Sequence, residues 1–418
     1  WLTLLALIIS GEMIFSLPFH LPRYFRPSML ETFGLNNAQL GDVFAIYGIT
    51  AMLAYFPGGV LADRIAPRKL MAASLLATAA GGLYLMQLPG VTGLRVLYGY
   101  WGVTTIFLFW AAMIRATRSW GGSRAQGRAF GFLEGGRGLA AAAFASLAVI
   151  CFASLMPTGA SEPMGTERDN AMRLVIGFYS VVTALAGILV WQLLGDERTQ
   201  TQQPRATFVG IREILGRPLV WLQALIVICA YCGYKGLDNY SLYAHEVLGM
   251  SEVNAAGFTA SAAYIRPLAA LAAGLIADRL GAGRSIAGLF FALCIVYTAL
   301  ALLDPQNASS MLIYSNIVVS FVAVFALRAV YFALLEETAI PSHLTGTAVG
   351  LVSVVGYTPD IFFAPIAGRL LDAAPGLAGH QHYFWFLTTL SIAGWIAALI
   401  LVRCVEPTAT TPSSGASS

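Results

Sequence analysis

Four charged residues stand without an in-helix partner inside long apolar stretches of this chain: Glu12, Arg266, Arg328 and Asp360. A charge at the centre of a hydrocarbon layer costs about 2.5–3.5 kcal/mol even on a lenient scale, so each needs a partner or a task. Two further pairs lie three residues apart, Glu134 with Arg137 and Lys235 with Asp238. That spacing puts both members on one helical face, where they either neutralise each other or serve a site. Guanidinium groups stay charged and present a forked donor set, the chemistry that holds carboxylate or phosphate. Glu12, Glu134 and Asp360 are the groups able to carry protons, because water access and a nearby arginine both act on a poorly solvated carboxyl. Tyr264 and Tyr357 are the tyrosines expected beside Arg137, Arg266 and Arg328, with Phe15, Phe19, Trp110, Tyr234 and Tyr331 as further lining or packing rings. His20 reads as an interfacial residue near the outer end of the first segment.

The elements that must position these groups are announced by an internal repeat. Residues 59–69 read GVLADRIAPRK and residues 274–284 read GLIADRLGAGR, an offset of 215. Gly59, Asp63 and Arg64 meet Gly274, Asp278 and Arg279, and Arg68 and Lys69 follow in the first copy. The register holds upstream, where Gly34 meets Gly249 and Glu31 meets Glu246. A tandem repeat of this length means two similar bundles facing each other.

Hydrophobic residues make up 58% of the 418 positions and charged ones 11%, against roughly 25% charged in a soluble domain. Mean hydropathy is +0.72. Apolar runs of about 20 residues recur throughout, the length a helix needs to cross the bilayer. The reading is an all-α membrane protein with 12 transmembrane helices as two pseudo-symmetric six-helix bundles. The expected spans are 1–22, 38–62, 69–88, 94–116, 128–153, 172–194, 218–243, 252–277, 285–303, 309–335, 346–368 and 383–403. Residues 1–194 form the first bundle, 195–217 a cytoplasmic linker with an amphipathic FVGIREIL stretch, 218–405 the second bundle and 406–418 a disordered tail. The segment opening at Trp1 reads as a retained helix, not a signal peptide. Asn36 and Ser251 are matching N-caps. Glu12 then lies roughly 16 Å into its helix, and Arg266 roughly 18 Å from the motif face, at 1.5 Å per residue.

Basic residues set the orientation. With the motif loops inside, the inner face collects Arg64, Arg68, Lys69, Arg115, Arg118, Arg124, Arg128, Arg198, Arg205, Arg212, Arg217, Arg279, Arg284 and Arg403. The outer face carries Arg23, Arg26, Arg95, Arg168, Arg173 and Arg369, so both termini are expected in the cytoplasm. The five cysteines fall within or beside apolar segments, and Cys229-Ala-Tyr-Cys232 reads as helix packing. No metal-ligand spacing, nucleophile elbow or phosphate-binding Gly-Lys loop is present, and no basic, aromatic-interleaved surface. An enzyme, a cofactor, a metal and a nucleic-acid partner are therefore not expected.

The motif resembles that of the major facilitator superfamily, in which G-x-x-x-D-R-x-x-x-R-[KR] joins helices two and three and recurs loosely between eight and nine. Here it is carried by Gly59, Asp63, Arg64, Arg68 and Lys69, then Gly274, Asp278, Arg279 and Arg284. Arg95 with Gly99 resembles the family's fourth-helix element, and Phe363 to Gly368 with Asp372 its eleventh-helix ending. The resemblance implies alternating access, with helices one, four, seven and ten lining a central cavity and five and eight facing each other. Arg137 and Arg266 would then reach one anion from opposite bundles. The glycines around Glu134 resemble the fifth helix of nitrate porters, although the second helix here lacks an intramembrane arginine. Organophosphate antiporters place a base in helix one, where this chain has Glu12.

The expectation is a monomeric, proton-coupled carrier of a small organic anion, such as a sugar acid, carboxylate or phosphorylated solute, in a bacterial inner membrane. The motif residues would gate the cytoplasmic side and hold lipid phosphates. The alternative is a proton-coupled exporter of multiple drugs or hydrophobic compounds.

Overall fold

The computed structural model describes residues 1–122, 126–157, 164–195, 213–334 and 345–405. Most of the expected linker, the expected tail, and Arg124, Arg198, Arg205 and Arg212 lie outside these residues. The described chain is helical. We number its long segments α1 (Leu2–Met13, continued by Ser16–Tyr24), α2 (Asn37–Arg64), α3 (Pro67–Leu85), α4 (Val91–Gly121), α5 (Gln126–Ala153), α6 (Gly165–Leu193), α7 (Pro218–Glu246), α8 (Glu252–Leu280), α9 (Ala282–Leu302), α10 (Ser310–Ala333), α11 (Thr345–Gly356, continued by Pro359–Asp372) and α12 (Leu377–Val405). Among the described residues, ten helices are long and apolar enough to cross a membrane, eleven if the bent α1 counts as one span. α3 falls short because it opens Pro67-Arg68-Lys69.

The same pairings recur in both halves: α3 with α6 and α9 with α12, α2 with α4 and α8 with α10, α1 with α5 and α7 with α11. Local chemistry repeats too. The Asn36 side chain accepts from Gln39 N at 2.8 Å and Ser251 Oγ from Asn254 N at 3.2 Å, so both expected caps are formed. Gly34 and Gly249 both adopt left-handed backbone, with φ of 59° and 67°. Each ends the helix before its cap, a conformation a side chain resists. Large apolar side chains such as Leu53, Leu268 and Met311 face outward, as lipid contact requires.

Several helices are interrupted at mid-depth. α1 bends by 42° between its two parts and continues as a π-turn, Ser16–His20, that contains Pro18. α4 carries a π-helical stretch at Val103–Trp110, and α7 a 3-10 turn at Leu237–Asn239. α8 breaks at Ala263–Tyr264 ahead of Pro267, and α11 at Tyr357–Thr358 ahead of Pro359. Proline removes a backbone donor and crowds the preceding turn, which explains the breaks in α1, α8 and α11. Such breaks turn backbone and side chains toward an interior space, which a membrane tolerates only where protein surrounds them.

The two halves close on each other at the end opposite the repeated motif. There the Asp372 carboxylate accepts from Ala38 N at 2.7 Å and from Asn37 N and Nδ2 at 3.1 Å, across α11 and α2. Arg369 pairs with Asp42 at 2.9 Å, Arg168 with Glu252 at 2.8 Å, and Ser28 also donates to Glu252. At the motif end Asp63, Arg64, Asp278 and Arg279 are exposed, and none of them forms an ion pair among the described residues.

Candidate functional site

A cavity partly open to solvent lies between the halves and is lined from α1, α2, α4, α5, α7, α10 and α11. Its walls are aromatic: Phe15, Phe19, Tyr47, Tyr55, Trp110, Tyr231, Tyr234 and Tyr357. Its charges are Glu12, Arg23, Arg137, Lys235, Arg328 and Asp360, with His20 beside them.

Glu12 is the hub of one cluster. Its Oε2 accepts from Arg137 Nε at 3.0 Å, while Oε1 lies 3.1 Å from His20 Nε2 and 3.4 Å from Arg266 Nη1. Glu134 completes the square, 2.6 Å from Arg137 and 3.1 Å from Arg266. Arg137 and Arg266 do meet from opposite halves, as the resemblance implied, but around two carboxylates. Arg266 and Glu134 are not part of the cavity lining.

A second cluster links α1, α7 and α11. Arg23 Nε donates to Asp238 at 2.5 Å and its Nη1 to the Tyr234 hydroxyl at 3.0 Å. Lys235 lies 3.4 Å from both Asp238 and Asp360, and the Tyr231 hydroxyl donates to Asp360 at 3.0 Å. Phe19 and Phe44 sit under the Lys235 ammonium at 4.2 and 5.2 Å.

Arg328 differs from all of these. Its guanidinium lies 4.0 Å from the centre of the Tyr234 ring, its Nη1 is buried without a hydrogen-bond partner, and it forms no ion pair among the described residues. The Arg23 guanidinium also approaches the Tyr234 ring, 4.6 Å from its centre. Tyr357 lines the cavity close by, with its hydroxyl 3.5 Å from that of Tyr331.

Three expected placements are corrected. Tyr264 stands outside the cavity, 44% exposed, with its hydroxyl 3.2 Å from Ser146; the break before Pro267 turns it away. His20 is 3% exposed and packed on Glu12, not interfacial. Arg23 is 8% exposed and lines the cavity instead of an outer loop, because the π-turn and the short α-helical turn Leu21–Tyr24 carry the first helix further than its apolar run. Lys235 and Asp238 belong to the same buried site. The repeat itself holds a signal for Arg23, since Asp238 is its mate at the offset of 215.

The family profile of the Major Facilitator Superfamily matches residues 8–364. The chain belongs to that superfamily. It is a secondary transporter of small molecules and an integral membrane protein, not an enzyme. Curated relatives of this superfamily member include the inner membrane protein YihN of Escherichia coli K12, 27% identical over 97% of this chain and 96% of the relative. The inner membrane protein YqcE of the same organism is 26% identical over 93% of this chain and 91% of its own length. Among solved structures, a bacterial homologue of the human lysosomal transporter Spinster, inward-facing and unoccupied, superposes with a TM-score of 0.73 at 14% identity, covering 98% of both chains. A variant of the nucleoside transporter NupG gives 0.72 at 14% identity over 96% of this chain and 99% of that one. These two likenesses establish the fold.

Proposed function

We propose that this transporter carries a small organic anion across a bacterial inner membrane, coupled to protons, with both termini in the cytoplasm. One observation carries the reading: among the described residues, Arg328 is the cavity cation that forms no ion pair. Every other cavity cation has a carboxylate within 3.4 Å, namely Arg23 with Asp238, Lys235 with Asp238 and Asp360, and Arg137 with Glu12 and Glu134. A desolvated guanidinium without a counter-ion attracts an anion and repels a cation. The cavity carboxylates are all engaged, so a cationic drug would have to break a buried pair to find one. Tyr357, Tyr234 and the other rings supply stacking area for the rest of a sugar acid, carboxylate or phosphorylated solute. Arg137 and Arg266 hold the carboxylates Glu12 and Glu134 in place, and become anion ligands only if those acids release them.

The test is a ligand-stabilisation screen of the purified full chain against sugar acids, dicarboxylates, phosphorylated sugars, lipophilic cations and neutral sugars. A ligand that binds the folded state at 100 times its Kd adds about 2.7 kcal/mol and raises the melting temperature. Anions alone should do so. Stabilisation by lipophilic cations, with none by anions, would put the exporter reading in its place.

Closure at the far end with exposed motif residues is the arrangement of an inward-facing state, which gives the motif its task. Asp63 and Asp278, beside Arg64, Arg68 and Arg279, would bind the opposite half when the cytoplasmic side shuts. Asp63→Asn and Asp278→Asn are each expected to slow or abolish transport and leave binding in the present state intact. Equal loss of binding and transport would place the motif in the substrate site instead.

A further inference from the structure

We propose that His20 is the residue that takes up the coupling proton and passes its effect to the other half through Glu12. The inference rests on the proton-coupled part of the reading above and needs no assumption about the substrate. A carboxylate only accepts hydrogen bonds, so the contact between His20 Nε2 and Glu12 at 3.1 Å requires the ring proton on Nε2. That leaves Nδ1 as a lone-pair acceptor, and Nδ1 is buried with no hydrogen-bond partner. Nδ1 is thus the ring atom at which a proton can be added, and the Glu12 carboxylate on the other ring nitrogen is the counter-ion for the imidazolium that results. Imidazole is also the side chain whose unperturbed range falls between about pH 5 and 8. His20 lines the cavity, which gives the proton a route from water.

The surroundings make that proton matter. Oε1 of Glu12 is shared between His20 and Arg266 Nη1 at 3.4 Å, and Arg266 belongs to the second half while His20, Glu12, Glu134 and Arg137 belong to the first. Protonation places a full cation on the same oxygen and competes with Arg266 for it. Arg266 then keeps only Glu134, at 3.1 Å. A link between the halves is weakened by a proton that binds neither arginine.

The groups facing His20 allow this assignment. From its own helix come Glu12 and Tyr24, the latter with ring centres 5.9 Å apart. From α5 and α8 come Arg137 and Arg266, both through Glu12. α3 and α6 also pack on the π-turn. α6 meets it with the uncharged Thr183, 3.0 Å from Ser16, and the charged residues of both helices lie near their ends, at Arg68, Lys69, Glu167, Arg168, Asp169 and Arg173.

The experiment uses ligand-free full-length protein in detergent. Ring-nitrogen resonances of nitrogen-15 histidine are followed from pH 5 to 8, and the His20 signals are identified by their loss in His20→Gln. In parallel, spin labels at an introduced Gln192→Cys and at the native Cys404, both exposed at the motif end, report the distance between the halves. A reversible titration of His20 together with a pH-dependent change in distance populations, lost in His20→Gln and in Glu12→Gln, is the expected result. Retention of the same pH-dependent change in His20→Gln overturns the proposal, as does a His20 ring that does not titrate in that range. Either failure leaves the anion reading standing, because no substrate is present.

Discussion

Arg328→Gln is expected to weaken anion binding by about ten- to a hundred-fold, with little change in melting temperature of the empty protein. The magnitude follows from the roughly 1.5–3 kcal/mol carried by a hydrogen bond to a charged group, at 1.4 kcal/mol per tenfold. The small stability change follows from the side chain's surroundings. Arg328 forms no ion pair among the described residues, and its guanidinium lies 4.0 Å from the centre of the Tyr234 ring. Arg328→Lys keeps the charge and loses the fork, so it should recover part of the affinity for a phosphorylated ligand and less for a carboxylate. Arg266→Gln makes the contrast. It strips a cation from between Glu12 and Glu134, and breaking a buried pair on one side costs about 3–5 kcal/mol, so its loss of binding should come with a loss of stability. Calorimetric titration with the best anion of the screen, beside melting curves of the empty proteins, separates the two. Unchanged affinity in Arg328→Gln would remove the observation on which the anion reading stands.

Much of this was legible in the sequence, for reasons that can be named. The repeat at 215 gave the two halves, because the left-handed glycines Gly34 and Gly249 and the caps Asn36 and Ser251 are local features with local signatures. The charges Glu12, Arg137, Arg266, Arg328 and Asp360 were visible as polar residues in apolar runs. The i,i+3 pair of Glu134 with Arg137 was visible too, but the long-range partners were not. Glu12 meets residues 125 and 254 positions away, and nothing local encodes such a contact. Arg23 was misplaced because hydropathy ends the first span at its first basic residues, whereas the π-turn and Pro18 carry the helix on, inside the protein. Tyr264 was misplaced for the converse reason, since regular helical spacing does not hold across the break before Pro267. Hydropathy reads lipid-facing surface well and cavity-facing surface poorly.

Gly48→Val is expected to empty the state in which the end opposite the motif is shut, without unfolding the protein. α2 and α11 meet backbone to backbone at the closed end. A Cβ added at Gly48 would lie 2.5 Å from the Asp360 carbonyl oxygen and 2.9 Å from Ile361 N, main-chain atoms that cannot step aside. Gly41, seven residues earlier on the same helical face, approaches the Ala364 and Pro365 backbone in the same way, and Gly368 of α11 approaches Asn37. Small residues at these points let the helices come close enough for Asp372 to reach the amides of Asn37 and Ala38. Overpacking a close contact costs about 1–3 kcal/mol, a shift of roughly 5- to 150-fold between two states. The cost falls only on the state in which the far end is shut, so the opposite state should gain population and transport should stop. Spin labels at Thr92, exposed in the first turn of α4, and at Gln306, exposed in the turn between α9 and α10, should report a longer distance in Gly48→Val. Gly288→Val, where an added Cβ meets nothing within 4 Å, should leave it unchanged. A far-end distance in Gly48→Val equal to that of the parent would mean that the seam adapts, and that the hydrogen bonds of Asp372 and the ion pairs of Arg369 and Arg168 hold this end closed without the glycines.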